Sequence, residues 1–284
     1  MKTYTELTFH ISPFSEDIAD ALIGELGDLQ YDGFIYTQDG FKAYIGTPDF
    51  REEVISQLEL LRILPEEYRI SWEKAEIADQ DWNKEWEEHF TPIVVKNQIL
   101  VRAGFHAARP EIPYEIIIEP KMSFGTGHHS TTALMLEMIL DYTSEMKGKQ
   151  VLDMGCGTGI ISIMAAKAGA AHITGIDIDE WSYHNASENI RNNQLENISI
   201  KIGDAGLLAE EKDFNFILAN INRNILLEDM HYYTEHLMPG GYLIMSGFYT
   251  QDLPLIQNEA AKYGLQFERQ KTENNWVAAS FYKQ

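Results

Sequence analysis

The stretch Val151-Leu-Asp-Met-Gly-Cys-Gly-Thr-Gly159 decides the fold. A short apolar run enters a glycine turn, and a second apolar segment of helical character begins at Ile160. That is the signature of a buried strand passing through a tight loop into a helix. Gly155, Gly157 and Gly159 remove the side chains that would hold a ligand away from backbone N–H groups. A dinucleotide fingerprint, G-x-G-x-x-G, requires glycine at position 160, where this chain has Ile160. The carboxylate of Asp153, two residues ahead of the turn, would repel a pyrophosphate and attract an ammonium. The pattern therefore points to S-adenosylmethionine, a cationic sulfonium amino acid, with Asp153, Gly155 and Gly157 as cofactor-binding residues.

Outward from this loop, strand-like and helix-like runs alternate, which implies a mainly parallel α/β sheet. Strands are expected at 150–154, 172–177, 198–202, 214–220 and 242–246, and helices at 160–168, 180–193 and 224–236. Two more strand-like runs, 265–269 and 276–282, close the chain. A parallel sheet ending in a strand hairpin is the outline of the seven-stranded, Rossmann-like class I methyltransferase fold.

The strand ends carry the remaining candidates. Asp177 ends the second strand about twenty residues past the loop, where a carboxylate can accept both ribose hydroxyls. Asp179 is expected to cap the next helix. Asp204 stands where an adenine amino group would lie, or is a turn aspartate. Asn220 ends the fourth strand, beside the topological switch point, and should face the reactive end of the cofactor. A second cluster, Met122 to Thr132 (MSFGTGHHSTT), precedes an apolar helix, with Ser130, Thr131 and Thr132 as candidate caps. His128 and His129 are sequence neighbours without acidic or cysteine partners at ligand spacing, so no metal site is expected.

The first 77 residues follow a different order, β-α-β-β-α-β, the ferredoxin-like pattern of a small α+β domain. Through Ala75 this segment carries six basic and fifteen acidic residues, a balance of 6 − 15 = −9. It suits a binding module for a basic partner, and equally a solvated acidic surface. Residues 78–93, with Trp82, Trp86 and Phe90 on one helical face, read as a linker helix into a methyltransferase domain over 94–284.

The whole chain has 284 residues and a formal charge of −22. That field repels phosphate backbones, so direct nucleic-acid binding is not expected. A single cysteine, Cys156, leaves no intramolecular disulfide. No window approaches the ~18 uninterrupted apolar residues of a membrane span, and MKTYTELTFH is not a signal peptide. A cytoplasmic protein is expected.

Four segments together resemble the PrmA family: Phe124-Gly-Thr-Gly-His-His-Ser-Thr-Thr132, Asp153-Met-Gly-Cys-Gly-Thr-Gly159, Gly175-Ile-Asp-Ile-Asp179 and Ala219-Asn-Ile-Asn222. The likeness extends over nearly the whole chain, including the Asp81-Trp82 linker. It implies an enzyme that methylates lysine side-chain or N-terminal amino groups of large-subunit ribosomal protein eleven. It also implies that Thr132, Gly155, Asp177 and Asn220 contact the cofactor, and that Phe124 and Trp276 lie on the substrate side. The chain departs from the family at Ser130, commonly proline, and at Asn222-Arg223-Asn224, commonly leucine-alanine-glycine-like. The chain lacks Asn-Pro-Pro-Tyr, which clamps planar nitrogens in related methyltransferases, and this favours a tetrahedral amine. Two alternatives stay open. A methyltransferase for a small molecule or nucleic acid would use the same cofactor residues but leave the N-terminal domain unexplained. A non-enzymatic binding module would show no turnover.

Overall fold

The computed structural model describes residues 4–29, 31, 33–55, 58–63, 68–77, 91–119, 125, 127–211 and 213–284. The chain forms two compact units, Met1–Lys84 and Glu85–Gln284.

In the first unit the strands are β1 (Tyr4–Ser12), β2 (Gly33–Thr37), β3 (Gly40–Gly46) and β4 (Arg69–Ile77). They form an antiparallel sheet in the order β2-β3-β1-β4. Helix α1 (Glu16–Asp28) is capped by Ser15, whose Oγ accepts from Ile18 N, and it buries Ala19, Leu22 and Leu26. These meet Leu7, Phe9 and Ile11 on one side of β1, and the Phe9 and Phe41 rings stack at 4.8 Å. The second helix of the expected β-α-β-β-α-β order is represented among the described residues by two single turns, α2 (Glu52–Ile55) and α3 (Glu59–Ile63). Its start is delayed because Asp49 N and Phe50 N both turn back to Gly46 O. Residues 78–90, including Trp82, Trp86 and Phe90 of the expected linker helix, lie outside the described residues.

In the second unit three short strands, β5 (Ile93–Val95), β6 (Ile99–Arg102) and β7 (Tyr114–Ile117), make a small sheet. The main sheet has seven strands: β8 (Gln150–Met154), β9 (His172–Asp177), β10 (Ile198–Ile202), β11 (Phe214–Asn220), β12 (Leu237–Tyr249), β13 (Leu265–Glu273) and β14 (Trp276–Lys283). Their order is β10-β9-β8-β11-β12-β14-β13, parallel from β10 to β12, with β14 antiparallel between β12 and β13. The chain reverses its direction of winding between β8 and β11, so the crevice for a ligand opens at the carboxyl ends of those two strands.

Both faces of the sheet are covered. On one lie α4 (Ser130–Asp141), α5 (Thr143–Met146) and α6 (Ile160–Lys167), which bury Leu134, Met138, Ile161 and Met164. On the other, α8 (Arg223–His236) and α9 (Leu253–Lys262) bury Leu226, Met230 and Ile256. Helix α7 (Glu180–Asn192) follows β9. Burial on both sides explains why the central strands read as continuous apolar runs rather than alternating ones.

Candidate active site

The site is built at the carboxyl edge of β8, β9, β11 and β12. Gly155, Gly157 and Gly159 all adopt left-handed backbone, with φ of +67°, +52° and +77°. Gly155 N and Cys156 N donate to Ile176 O, which pins the turn to the end of β9. A Cβ on Gly155 would lie 2.2 Å from Ile221 Cγ2. Gly247, at φ +97° in the irregular part of β12, would place a Cβ 2.1 Å from Ile221 O. Ile221, next to Asn220, is thus wedged between two glycines whose missing side chains leave room for it.

Four acids stand around this turn and the neighbouring strand ends. Asp153 is fully buried at the end of β8, and its Oδ2 accepts from Ser162 N at 3.0 Å and Ser162 Oγ at 2.6 Å. Asp153 Oδ1 has no hydrogen-bond partner among the described residues. Burial pushes this carboxyl up to about 7, despite the Ser162 bonds. Asp177 is half-buried; Oδ2 accepts from Gly157 N at 2.8 Å and Oδ1 from Asp179 N at 3.0 Å. A carboxylate has about four lone-pair positions, so two bonds leave capacity for further donors. Asp179 caps α7, accepting from Trp181 N and Ser182 N. Asp204 accepts from Gly206 N at 2.9 Å and opens a short 3₁₀ turn, Ala205–Glu210, so the turn role is the one observed.

Asn220 ends β11 and is 8% exposed. Its Nδ2 makes a long contact of 3.5 Å to Thr132 Oγ1, in the first turn of α4, while its buried Oδ1 has no partner among the described residues. An acceptor left open in a buried place carries a desolvation penalty of about 1–3 kcal/mol, which an incoming donor would relieve. The cap of α4 is His129, not the hydroxyl residues expected. Its Nδ1 accepts from Thr131 N, because Ser130 is already the first helical residue and its Oγ accepts from Asn274 Nδ2. Burial lowers the pKa of both His128 and His129, favouring neutral rings at pH 7.

Trp276, at the start of β14, lies between Tyr249, with ring centroids 4.1 Å apart, and His129, edge-on at 4.9 Å. It therefore packs as part of an aromatic wall beside α4. Phe124 lies outside the described residues. Among the described residues no cluster of three or more His, Cys, Asp or Glu is arranged to hold a metal.

The sequence reading missed the residues that support these. Ser162 braces Asp153; a Ser-in-helix position on an apolar face was the available signal. Tyr249 was missed because β12 runs past the expected end at 246. The departures at 222–224 now have a structural account. Asn222 caps α8 by accepting from Ile225 N, and Arg223 Nη1 donates to Asp252 Oδ1 at 2.7 Å. Asp252 Oδ2 in turn accepts from Tyr249 N at 3.2 Å. Among the described residues the donor set, a buried unpartnered acceptor, a braced glycine turn and a strand-end carboxylate, fits a nucleoside-linked amino acid.

Comparison with known proteins agrees in kind. A family model described as ribosomal protein L11 methyltransferase (PrmA) matches residues 24–284. The chain is 41% identical over 279 residues, 98% of each chain, to the ribosomal protein L11 methyltransferase of Phocaeicola vulgatus. It is 44% identical over 270 residues, 94% of this chain and 91% of the relative, to that of Porphyromonas gingivalis. A crystal structure of ribosomal protein L11 methylase from Lactobacillus delbrueckii subsp. bulgaricus superposes with a TM-score of 0.63 at 25% identity, covering 69% of this chain and all of that one.

Proposed function

The chain belongs to the ribosomal protein L11 methyltransferase family, and from that premise we propose that the crevice beside Asn220 transfers methyl groups to amino groups of ribosomal protein L11, lysine side chains and the N-terminus being the candidates. The observation that carries this reading is the buried, unpartnered Asn220 Oδ1 next to a glycine turn braced by Asp177.

The methyl donor is S-adenosylmethionine, which when bound supplies an electrophilic methyl on a sulfonium. Asp177 would accept from its ribose hydroxyls, the Gly155–Gly159 backbone would let it approach closely, Asp153 would face its ammonium, and Asp204 and Thr132 would complete the set. The acceptor must arrive neutral. With a reference pKa near 10.4, holding a lysine neutral at pH 7 costs about 4–5 kcal/mol, and an apolar wall with a cation nearby lowers that requirement. Asn220 Oδ1 accepts one N–H of the amine and turns its lone pair towards the methyl; alignment is the chief demand of an in-line displacement. The lysine gives its proton to water before it binds; Trp276 and Tyr249 offer apolar contact to its chain, and cation–π contact to the methylated ammonium that forms as S-adenosylhomocysteine leaves.

The N-terminal unit is read as a ferredoxin-like recognition domain. Its strand order and two-layer core support this, and its acid excess of −9 suits a basic ribosomal protein. No helix among the described residues is long and apolar enough to cross a membrane, and a ribosomal substrate supports the reading of a cytoplasmic enzyme. The test is transfer of labelled methyl from S-adenosylmethionine to purified ribosomal protein L11. Label lost in Asn220→Ala supports the assignment; equal labelling removes Asn220 from it. Label on nucleic acid or free metabolites instead would favour the other substrate classes.

A further inference from the structure

Helix α7 carries asparagines at 185 and 189 and ends on a third, its C-cap Asn193; spaced i, i+4, i+8, all three fall on one face. They are 3%, 0% and 9% exposed. Asparagine is a mediocre helix former and a buried amide needs partners, so this face does something an apolar stripe cannot. Asn193 Oδ1 accepts from Ile117 N at 3.0 Å, while its Nδ2 donates to Ile117 O at 2.6 Å and Asn189 O at 2.8 Å. Asn189 Oδ1 accepts from Glu119 N at 2.8 Å, and its Nδ2 donates to Thr158 O at 2.9 Å and Asn185 Oδ1 at 3.2 Å. Thr158 stands inside the glycine turn, and its own Oγ1 donates to Gly125 O at 2.6 Å.

One residue of the turn thus meets two distant parts of the chain: Glu119 through the Asn189 side chain, and Gly125 directly. Gly125 leads to His129, the cap of α4, and so to Thr132 and the Asn220 contact. We propose that Asn189 is a positioning residue for methyl transfer: it fixes Thr158 in the cofactor turn and joins that turn to Glu119, just past the end of β7. Asn189 touches neither reactant; it acts through Thr158 and Glu119. The proposal rests on reading the glycine turn as the cofactor site.

Asn193 supplies the control, since it makes the same number of hydrogen bonds as Asn189, three, yet none reaches the glycine turn. Full-length Asn189→Ala and Asn193→Ala are compared by thermal unfolding and by calorimetric titration with S-adenosylhomocysteine. Both variants should melt lower by similar amounts. Only Asn189→Ala should also lose about tenfold or more in affinity for S-adenosylhomocysteine and show a raised KM for the methyl donor. Asn189→Ser gives the same comparison if the alanine variant does not fold. Unchanged affinity in the Asn189 variants, or equal losses in the Asn193 variant, would overturn the proposal and leave a purely structural ladder. Failure of the wild-type protein itself to bind S-adenosylhomocysteine would overturn the cofactor reading, and this proposal with it.

Discussion

Gly157 donates its backbone N–H to Asp177 Oδ2 across 2.8 Å, so the carboxylate that ends β9 also fixes the turn that ends β8. One side chain both shapes the glycine loop and presents acceptors beside it.

Asp177→Ala removes that brace and the bond from Asp179 N, together with the proposed ribose acceptor. Calorimetry with S-adenosylhomocysteine should show affinity reduced about a hundredfold, since each charged hydrogen bond contributes about 1.5–3 kcal/mol. A loss below twofold would remove Asp177 from the cofactor site.

Asn220→Ala should act on the rate rather than on cofactor binding. Among the described residues its Oδ1 has no partner and its side-chain bond to Thr132 Oγ1 is long. Methyl transfer to ribosomal protein L11 is expected to fall about a hundredfold or more in kcat, as when one oriented group is lost from a positioned reaction, with affinity for S-adenosylhomocysteine within severalfold of wild type. The reverse pattern would make Asn220 a cofactor ligand only.

Asp153 gives a pH signature. Burial raises its carboxyl to about 7, so between roughly pH 4 and pH 7 the folded chain holds a proton that the unfolded chain has lost. Stability therefore falls as pH rises through that window, by about 4 kcal/mol at the limit, and this contribution is flat outside it. The melting temperature of Asp153→Asn minus that of wild type should increase from pH 5 to pH 8. A constant difference would mean that the group titrates normally.

Asp252 links Arg223 to the backbone of Tyr249, whose ring packs at a tilt against Trp276. Asp252→Ala should loosen that wall and raise KM for ribosomal protein L11 severalfold, leaving affinity for S-adenosylhomocysteine unchanged. The ion pair is partly exposed, so a modest effect is expected. Steady-state kinetics against the protein substrate measures it, and an unaltered KM would separate Tyr249 from substrate contact.

The strands 150–154, 172–177 and 214–220 were legible to the residue, because each is a short, largely buried apolar run closed by a turn, and 198–202, an exposed edge strand, because its isoleucines alternate with Ser199 and Lys201. The small sheet β5 to β7 was not. Its strands have three or four residues, and its hairpin turns on Lys96 and Asn97 at φ +50° and +55°, a pairing without a glycine to announce it. Helix α9 was also passed over: Leu253, Ile256 and Ala260 keep helical spacing but give only a thin apolar stripe. At the site, Asp177 and Asn220 could be picked out because strand ends at a switch point are special places. The asparagine face of α7 could not, since searches for a buried helix face look for apolar periodicity, and here the buried face is amide.

The wedge at Ile221 bears on how this protein can change over generations. A single added carbon at Gly155 or Gly247 strikes Ile221 and so moves the neighbouring Asn220, which makes both positions nearly closed to drift. Residues 222–224 lie one step further along, at the mouth of α8, where caps and ion pairs tolerate exchange. The start of α8 can therefore diversify while Asn220 keeps its place, and the segment Asn222-Arg223-Asn224 lies in that permissive stretch.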